Sequence, residues 1–314
     1  MAQIESTSPR RSVAILMGTY NGAQHLDEQL QSFAAQTHPD WSLHVSDDGS
    51  RDATCDLVAR FAATVAQPVE LRIGPKTGFV DNFMALARDD ATDAHYFAFS
   101  DQDDVWYPDK LARALAWFET VTDEQIPAVY FSRTELITSQ GRPRGYSTLF
   151  RRPAVFRNAL VQNIGGANTM VFNRAARRLL QTAAGAPAVS HDWALYLLVT
   201  AVDGIAYYDA APTLKYRQHV GNVMGSNRGW GAVRRRLELM LQGTMLRWNA
   251  INRELLRTVD AQMSADNREA LRLFSEAGSA PLFGRLWKLK RSGVYRQTWL
   301  GNIGLALAAL MRKI

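Results

Sequence analysis

The segment from Val13 to Gly22, Val-Ala-Ile-Leu-Met-Gly-Thr-Tyr-Asn-Gly, is the stretch on which the fold turns. Val13 to Met17 is a short apolar run of the kind found in a strand buried on both faces, and it stops at Gly18, Thr19, Tyr20 and Asn21. A helical pattern follows, with Leu26, Leu30 and Phe33 at i, i+4 and i+7. The same pair of signals recurs downstream. Ser42 to Ser46 precedes a helix face of Leu57, Val58 and Phe61; Val69 to Ile73 precedes Phe79, Phe83 and Leu86; His95 to Phe99 precedes Leu111, Leu115 and Phe118. Strand-then-helix units in series predict an α/β fold, with a mostly parallel, doubly wound sheet flanked by helices.

In such sheets ligands bind outside the carboxyl ends of the strands. The loops expected there read Gly18-Thr-Tyr-Asn-Gly22, Asp47-Asp-Gly-Ser-Arg-Asp52, Gly74-Pro-Lys-Thr-Gly78 and Ser100-Asp-Gln-Asp-Asp104. Asp-Gly-Ser on its own is an ordinary turn and helix cap. Four polar, acidic or glycine-rich loops on one rim ask for more. Carboxylates crowded at a strand end repel unless a proton or cation is present, and Mg²⁺ or Mn²⁺ with oxygen ligands and substrate phosphates meets that need. The first loop lacks Gly-x-Gly-x-x-Gly, and no Gly-x-x-x-x-Gly-Lys-Ser/Thr loop occurs, so a nucleotide would be held in another way.

Composition narrows the classes further. With 314 residues, 47% hydrophobic and 21% charged, the chain can bury a large core and is no disordered protein. The single cysteine, Cys55, excludes an intrachain disulfide and a multi-cysteine metal site. The apolar run after Arg10 and Arg11 is too short for a signal-peptide core, and no uninterrupted run is long enough for a membrane helix. Charge is uneven: residues 1–227 hold 20 Lys and Arg against 24 Asp and Glu, and residues 228–314 hold 16 against 6. A basic tail of this kind suits anionic lipid or a solvated surface. No helix-turn-helix, zinc-finger or RNP pattern accompanies it, so no nucleic-acid partner is expected.

The motifs together carry a resemblance. Val13 to Gly22, Gln36-Thr37, Val45-Ser-Asp-Asp-Gly-Ser-Arg-Asp52 and Phe99-Ser-Asp-Gln-Asp-Asp-Val-Trp-Tyr-Pro-Asp-Lys-Leu111 resemble the inverting glycosyltransferases of family 2, which have the GT-A fold. Gly78-Phe-Val-Asp-Asn-Phe83 and Tyr216-Arg-Gln-His219 are similar to the rhamnosyltransferase-like branch that builds bacterial surface polysaccharides.

The resemblance implies roles. Tyr20 would stack on a pyrimidine base and Asp48 would accept its N3 proton, with Thr19 and Asn21 shaping that loop and Gly78 and Asn82 also on the nucleotide side. Asp101 and Asp103 would form the Asp-x-Asp motif, the first nearer the ribose and the second on a Mn²⁺ or Mg²⁺ ion bridging the diphosphate. Asp104 is a further acid, and any of the three could touch metal. Asp192, in Ser190-His-Asp-Trp193, would be the general base of an inverting transfer, although a residue there could equally cap a helix. His219 would complete the metal or diphosphate site and Arg217 would offset phosphate charge.

The implied donor is a nucleoside-diphosphate sugar, dTDP-L-rhamnose first and a UDP-hexose second; the acceptor is a glycan or lipid-linked glycan. Two other classes fit an α/β nucleotide site: a nucleotidyltransferase, whose glycine- and basic-rich opening loop is absent, and a non-catalytic sugar-nucleotide-binding module. The expected organisation is a tail over residues 1–11, a GT-A domain over 12–225 and a basic helical region over 226–314. In that last region Trp230, Val233, Leu237 and Leu241 have helical spacing, and basic residues flank an apolar stretch from Trp299 to Leu310. Such a stretch suits a membrane interface, and a homodimer contact would look the same. The expected location is cytoplasmic, peripheral at the inner face of the membrane.

Overall fold

The computed structural model describes residues 11–218 and 242–314. The sequence-predicted units are all present. Strands β1 (Val13–Thr19), β2 (Trp41–Asp47), β3 (Val69–Ile73) and β4 (Tyr96–Ser100) alternate with helices α1 (Leu26–Ala34), α2 (Thr54–Ala62) and α3 (Phe79–Arg88). A two-residue strand, β5 (Val105–Trp106), separates β4 from α4 (Lys110–Phe118). The chain then adds β6 (Ala128–Thr138), β7 (Pro143–Tyr146), α5 (Phe156–Ala159), β8 (Val171–Asn173), α6 (Arg174–Thr182), α7 (His191–Ala201) and β9 (Ile205–Gln218). Among the described residues, the C-terminal part then holds the helices α8 (Thr244–Arg257), α9 (Ala265–Ser279), α10 (Leu282–Ser292) and α11 (Trp299–Leu310).

One sheet runs in the order β3-β2-β1-β4-β8-β6-β9-β5, with β7 beside β6. The β3-β2-β1-β4 half is parallel throughout. Beyond it the sheet is mixed: β8 pairs antiparallel with both β4 and β6, while β6 and β9 run parallel. The apolar run of β1 has no polar face because both of its faces are covered. Val13, Ile15 and Met17 pack with Leu26, Leu30 and Phe33 on one side. Ala14 and Leu16 join Phe83, Leu86, Phe97 and Phe99 on the other, as the two-residue strand period requires. Truncating a fully buried residue such as Leu30 to Ala would cost about 2–5 kcal/mol.

The second core also takes in Leu255, Leu256, Phe274, Ala277, Leu305, Ala308 and Ala309, so the C-terminal helices share the apolar layer beneath the sheet. Polar ties reinforce this. Arg157 makes two 2.8 Å bonds to Asp266, Asn158 donates to the Tyr295 carbonyl at 2.9 Å, and the Arg152 N–H donates to Gln297 at 2.9 Å. Among the described residues no helix is long and apolar enough to cross a membrane. Trp230, Val233 and Leu237 lie outside the described residues, as does Leu241.

Register sets the site. Thr19 is level with Asp47, Asp47 with Ile73, and Met17 with Ser100. The four loops singled out in the sequence therefore leave the sheet at one edge.

Candidate active site

Loops one and two are laced together by side chains. Thr19 Oγ1 donates to Asp47 at 2.9 Å, the Asn21 N–H donates to Ser50 Oγ at 2.8 Å, and Asn21 Oδ1 accepts the Arg51 N–H at 2.9 Å. Asn21 has a φ of 46°, a left-handed conformation that asparagine tolerates better than most residues. Burial alone would raise the Asp47 carboxyl, but donors from Ser50, Thr19 and Gly49 hold it below the usual carboxylate range. It is an ionised anchor within the loop.

Asp48 connects loops two and three. Its carboxylate accepts the Lys76 N–H at 2.6 Å and the Gly78 N–H at 2.9 Å. Gly78 sits at φ 107°, where any side chain is strained, and opens α3. Asn82, one turn into α3, is buried and spent on protein: it accepts from Ser46 Oγ at 2.5 Å and donates to the Ser46 carbonyl at 2.8 Å. Its observed part is to hold α3 against β2. Tyr20 is different, with its ring 57% exposed at the tip of loop one.

Loop four bears the Asp-x-Asp motif, and its middle residue has a definite task. Gln102 Oε1 accepts the Tyr20 N–H at 2.9 Å, while Gln102 Nε2 donates to the Tyr20 carbonyl at 3.1 Å. A Cβ on Gly22 would lie 2.2 Å from that same Oε1, so a side chain there would push the Gln102 amide out of this bridge.

The three acids divide by environment. Asp104 is fully buried, accepts the Arg217 N–H at 3.0 Å on one oxygen and Asn168 Nδ2 on the other, and has its pKa raised well above the usual range by burial and by Asp103 and Asp101. Both its oxygens serve the fold. Asp101 and Asp103 are only partly buried. Burial, followed by the charges of Asp103 and Asp192, pushes Asp101 up to about 7. The His191 ring packs edge-on against Phe99, two residues before Asp101, with centroids 4.8 Å apart, and this places the first turn of α7 beside the motif. Asp192 Oδ1 accepts from Ser190 Oγ and, at 2.7 Å, from the Trp193 N–H. Asp192 thus satisfies a first-turn N–H of α7 with one oxygen, as the helix-capping alternative expects, while the Ser190 side chain makes no cap bond and Asp192 Oδ2 has no hydrogen bond among the described residues.

Arg217 was expected to offset phosphate charge. The structure instead buries it, with Nε on the Asp103 carbonyl at 2.9 Å, Nη1 on the Ser139 carbonyl at 3.0 Å and Nη2 on Glu28 at 2.8 Å. A guanidinium so engaged braces loop four against β9 and α1. His219 lies outside the described residues.

Three residues with no role assigned from sequence stand close by. Asn168 holds Asp104. Lys110 is fully buried, with its ammonium 4.5 Å from the Trp106 ring centre, and burial pushes it down to about 7 although the Asp104 charge pulls the other way. His191 is buried and stacked on Phe83, with centroids 4.0 Å apart and planes 10° apart; burial pushes it down to about 4, so the imidazole is neutral. The sequence signal for Gln102 was Gly22, a glycine whose reason becomes visible only once the loops are adjacent.

Among the described residues no cluster of three or more His, Cys, Asp or Glu side chains is arranged to hold a metal ion. Asp101 and Asp103 nevertheless supply hard oxygen donors, and the raised Asp101 marks crowding that a cation would relieve. That donor set fits a Mg²⁺ or Mn²⁺ ion whose remaining ligands come from a diphosphate.

A parallel half-sheet whose carboxyl rim gathers a base-sized aromatic, an Asp-x-Asp pair and a further carboxylate defines a nucleotide-sugar transferase of the α/β type. The chain belongs to glycosyl transferase family 2, whose model matches residues 14–180. It is 29% identical over 247 residues to the dTDP-rhamnosyl transferase RfbG of Shigella flexneri, covering 71% of this chain and 78% of that one. It is 26% identical over 165 residues to the putative teichuronic acid biosynthesis glycosyltransferase TuaG of Bacillus subtilis, covering 52% and 62%. Among solved structures, S. aureus TarS 1–349 in complex with UDP-GlcNAc superposes with a TM-score of 0.54 at 13% identity, covering 96% of this chain and 90% of that one. Mannosyltransferase PcManGT from Pyrobaculum calidifontis, in complex with GDP-Man and Mn²⁺, superposes with a TM-score of 0.50 at 18% identity, covering 96% and 85%. These likenesses establish the GT-A fold.

Proposed function

We propose that the protein is an inverting rhamnosyltransferase, moving L-rhamnose from dTDP-L-rhamnose to a hydroxyl of a lipid-linked surface-polysaccharide acceptor at the inner face of the cell membrane. The observation that carries the transferase reading is the packing of His191 on Phe99, 4.8 Å between ring centroids, which brings the neighbouring Asp192, a candidate base, toward the Asp101 loop, the candidate diphosphate site. The rhamnosyl donor is supported by the likeness to RfbG.

In this reading the exposed Tyr20 ring stacks on the thymine and Asp48, at the junction of loops two and three, faces its N3–H; Thr19, Asn21, Gly78 and Asn82 hold those loops in place. Asp103, with Asp101 beside it, would hold Mn²⁺ or Mg²⁺, supplying positive charge to the departing diphosphate. Asp192 takes the proton from the acceptor hydroxyl as that oxygen bonds to the anomeric carbon. The bond from that carbon to the diphosphate oxygen breaks, dTDP leaves, and attack from the opposite face inverts the configuration. Arg217 works through the Asp103 carbonyl as a brace.

The test is release of nucleoside diphosphate from dTDP-L-rhamnose and from UDP-hexoses, with Mn²⁺ and with chelator, alongside NMR of the product's anomeric centre. The proposal expects metal-dependent release favouring dTDP-L-rhamnose, and an inverted product. Preference for UDP-hexoses would move the donor to another branch, and retained configuration would refute the role of Asp192.

A further inference from the structure

The last two helices leave an apolar surface uncovered. On α10, Phe283 and Trp287 lie one turn apart and are 86% and 58% exposed. On α11, Trp299 and Leu300 are 71% and 61% exposed, and Ile303, Leu307, Leu310 and Met311 continue the outward stripe at helical spacing. The opposite side of α11, formed by Leu305, Ala308 and Ala309, is in the core. Arg285 joins the two helices: it is buried and donates to the Ala309 carbonyl at 2.9 Å and the Ala280 carbonyl at 2.7 Å. The two helices, with their exposed apolar residues, are therefore held in a fixed relation.

Their charge is one-sided. From Leu282 to Ile314 the chain has seven basic residues and no acidic one. Arg285 is consumed inside, and Lys288 pairs with Glu276. Lys290, Arg291 and Arg312 are exposed beside the apolar stripe, with Lys313 and Arg296 partly exposed. At 12 residues, α11 is roughly 18 Å long, too short for a hydrocarbon layer of about 30 Å. A short apolar helix with tryptophan at one end and cations at the other lies along a bilayer surface.

We propose that α10 and α11 form a docking surface for an anionic lipid bilayer, with Phe283, Trp287, Trp299, Leu300 and Ile303 entering the interface and Lys290, Arg291 and Arg312 meeting the headgroups. The opposing occupant is a second copy of the chain. A two-fold contact would set the same basic rim against itself, and the carboxylates described on the neighbouring α9, Glu269 and Glu276, are already paired with Arg272 and Lys288. Anionic lipid answers both the apolar face and its charge. The surface is argued from these residues alone; its purpose, meeting a lipid-linked acceptor, rests on the proposed function.

The test is flotation of the full chain with vesicles of phosphatidylglycerol and phosphatidylcholine mixed equally, and with phosphatidylcholine alone, at low and high salt. The chain should float with the anionic vesicles at low salt and be partly released by high salt. The exposed-site variant Trp299→Ser/Leu300→Ser/Ile303→Ser should lower the partition coefficient about tenfold or more. Lys290→Gln/Arg291→Gln should weaken binding only to the anionic vesicles. Circular dichroism and nucleotide binding should be unchanged in both. A full chain that does not float, variants that float equally, or a stable dimer dissociated by the triple substitution would overturn the proposal. Turnover on a water-soluble acceptor fragment separates the two readings: no turnover with intact flotation rejects only the reaction, and the reverse rejects only the docking surface.

Discussion

Replacing Gln102 with alanine removes both arms of the bridge that fixes the Tyr20 backbone, 2.9 Å to its N–H and 3.1 Å from its carbonyl. An intramolecular hydrogen bond contributes about 0.5–1.5 kcal/mol net. The Tyr20 end is exposed, so water replaces part of the loss and the pair sums to about 1–2 kcal/mol. At 1.4 kcal/mol per factor of ten, nucleotide affinity should fall roughly 5- to 30-fold. Calorimetry with the nucleoside diphosphate reads this directly, and kcat at saturating donor should stay within a few-fold of wild type. Because Gln102 acts through Tyr20, the losses in Gln102→Ala and Tyr20→Ala should not add in the double variant. Gly22→Ala should imitate Gln102→Ala, since its methyl group would meet Oε1 at 2.2 Å. Unchanged affinity in Gln102→Ala, or additive losses in the cycle, would refute the bridge.

Asp103→Ala should abolish metal-dependent turnover without altering the circular dichroism spectrum, whereas Asp104→Ala should also lower Tm, since it strips the partner from Asn168 and the Arg217 N–H. Asp192→Asn should lower kcat by about 10² to 10⁴ with donor affinity nearly unchanged, as steady-state kinetics would read. His191 gives a pH signature. Its folded pKa of about 4 lies below the ordinary 6.5, so the unfolded chain binds the extra proton. Its contribution is intact above about pH 6.5 and is lost as pH falls through about 4, on the order of 3 kcal/mol in all. His191→Phe should flatten the urea-unfolding profile across that window, and an unchanged slope would count against it.

The β/α units were legible because β1 and β4 are buried on both faces, and continuous apolar runs are what such strands require. The carboxyl-rim loops followed from their order along the chain. The second half of the sheet was not legible in the same way. β9 carries Pro212, which cannot donate to a ladder, and its register with β6 shifts around Arg133, so no clean two-residue period survives. Site residues were identified by type better than by direction. Asp101, Asp103 and Tyr20 lie at the rim, but Arg217 turns inward to Glu28, 189 positions earlier in the chain, and Asn82 to Ser46. The Gln102–Tyr20 bridge spans 82 positions. Contacts across such separations have no periodic trace, and the middle position of Asp-x-Asp gives no hint that its amide is used twice.

The short helix α5 has a consequence for reach. Trp193, next to Asp192, donates its indole N–H to the Ala159 carbonyl at 2.7 Å, and the neighbouring Asn158 donates to Tyr295 at 2.9 Å, just before α11. Asp192 and the apolar stripe are thus pinned to the same four-residue post. With the proposed bilayer docking, this would set Asp192, the proposed base, at a constant height above the lipid headgroups. A growing glycan would then be measured from its lipid end, and a hydroxyl one sugar too near or too far would miss the base.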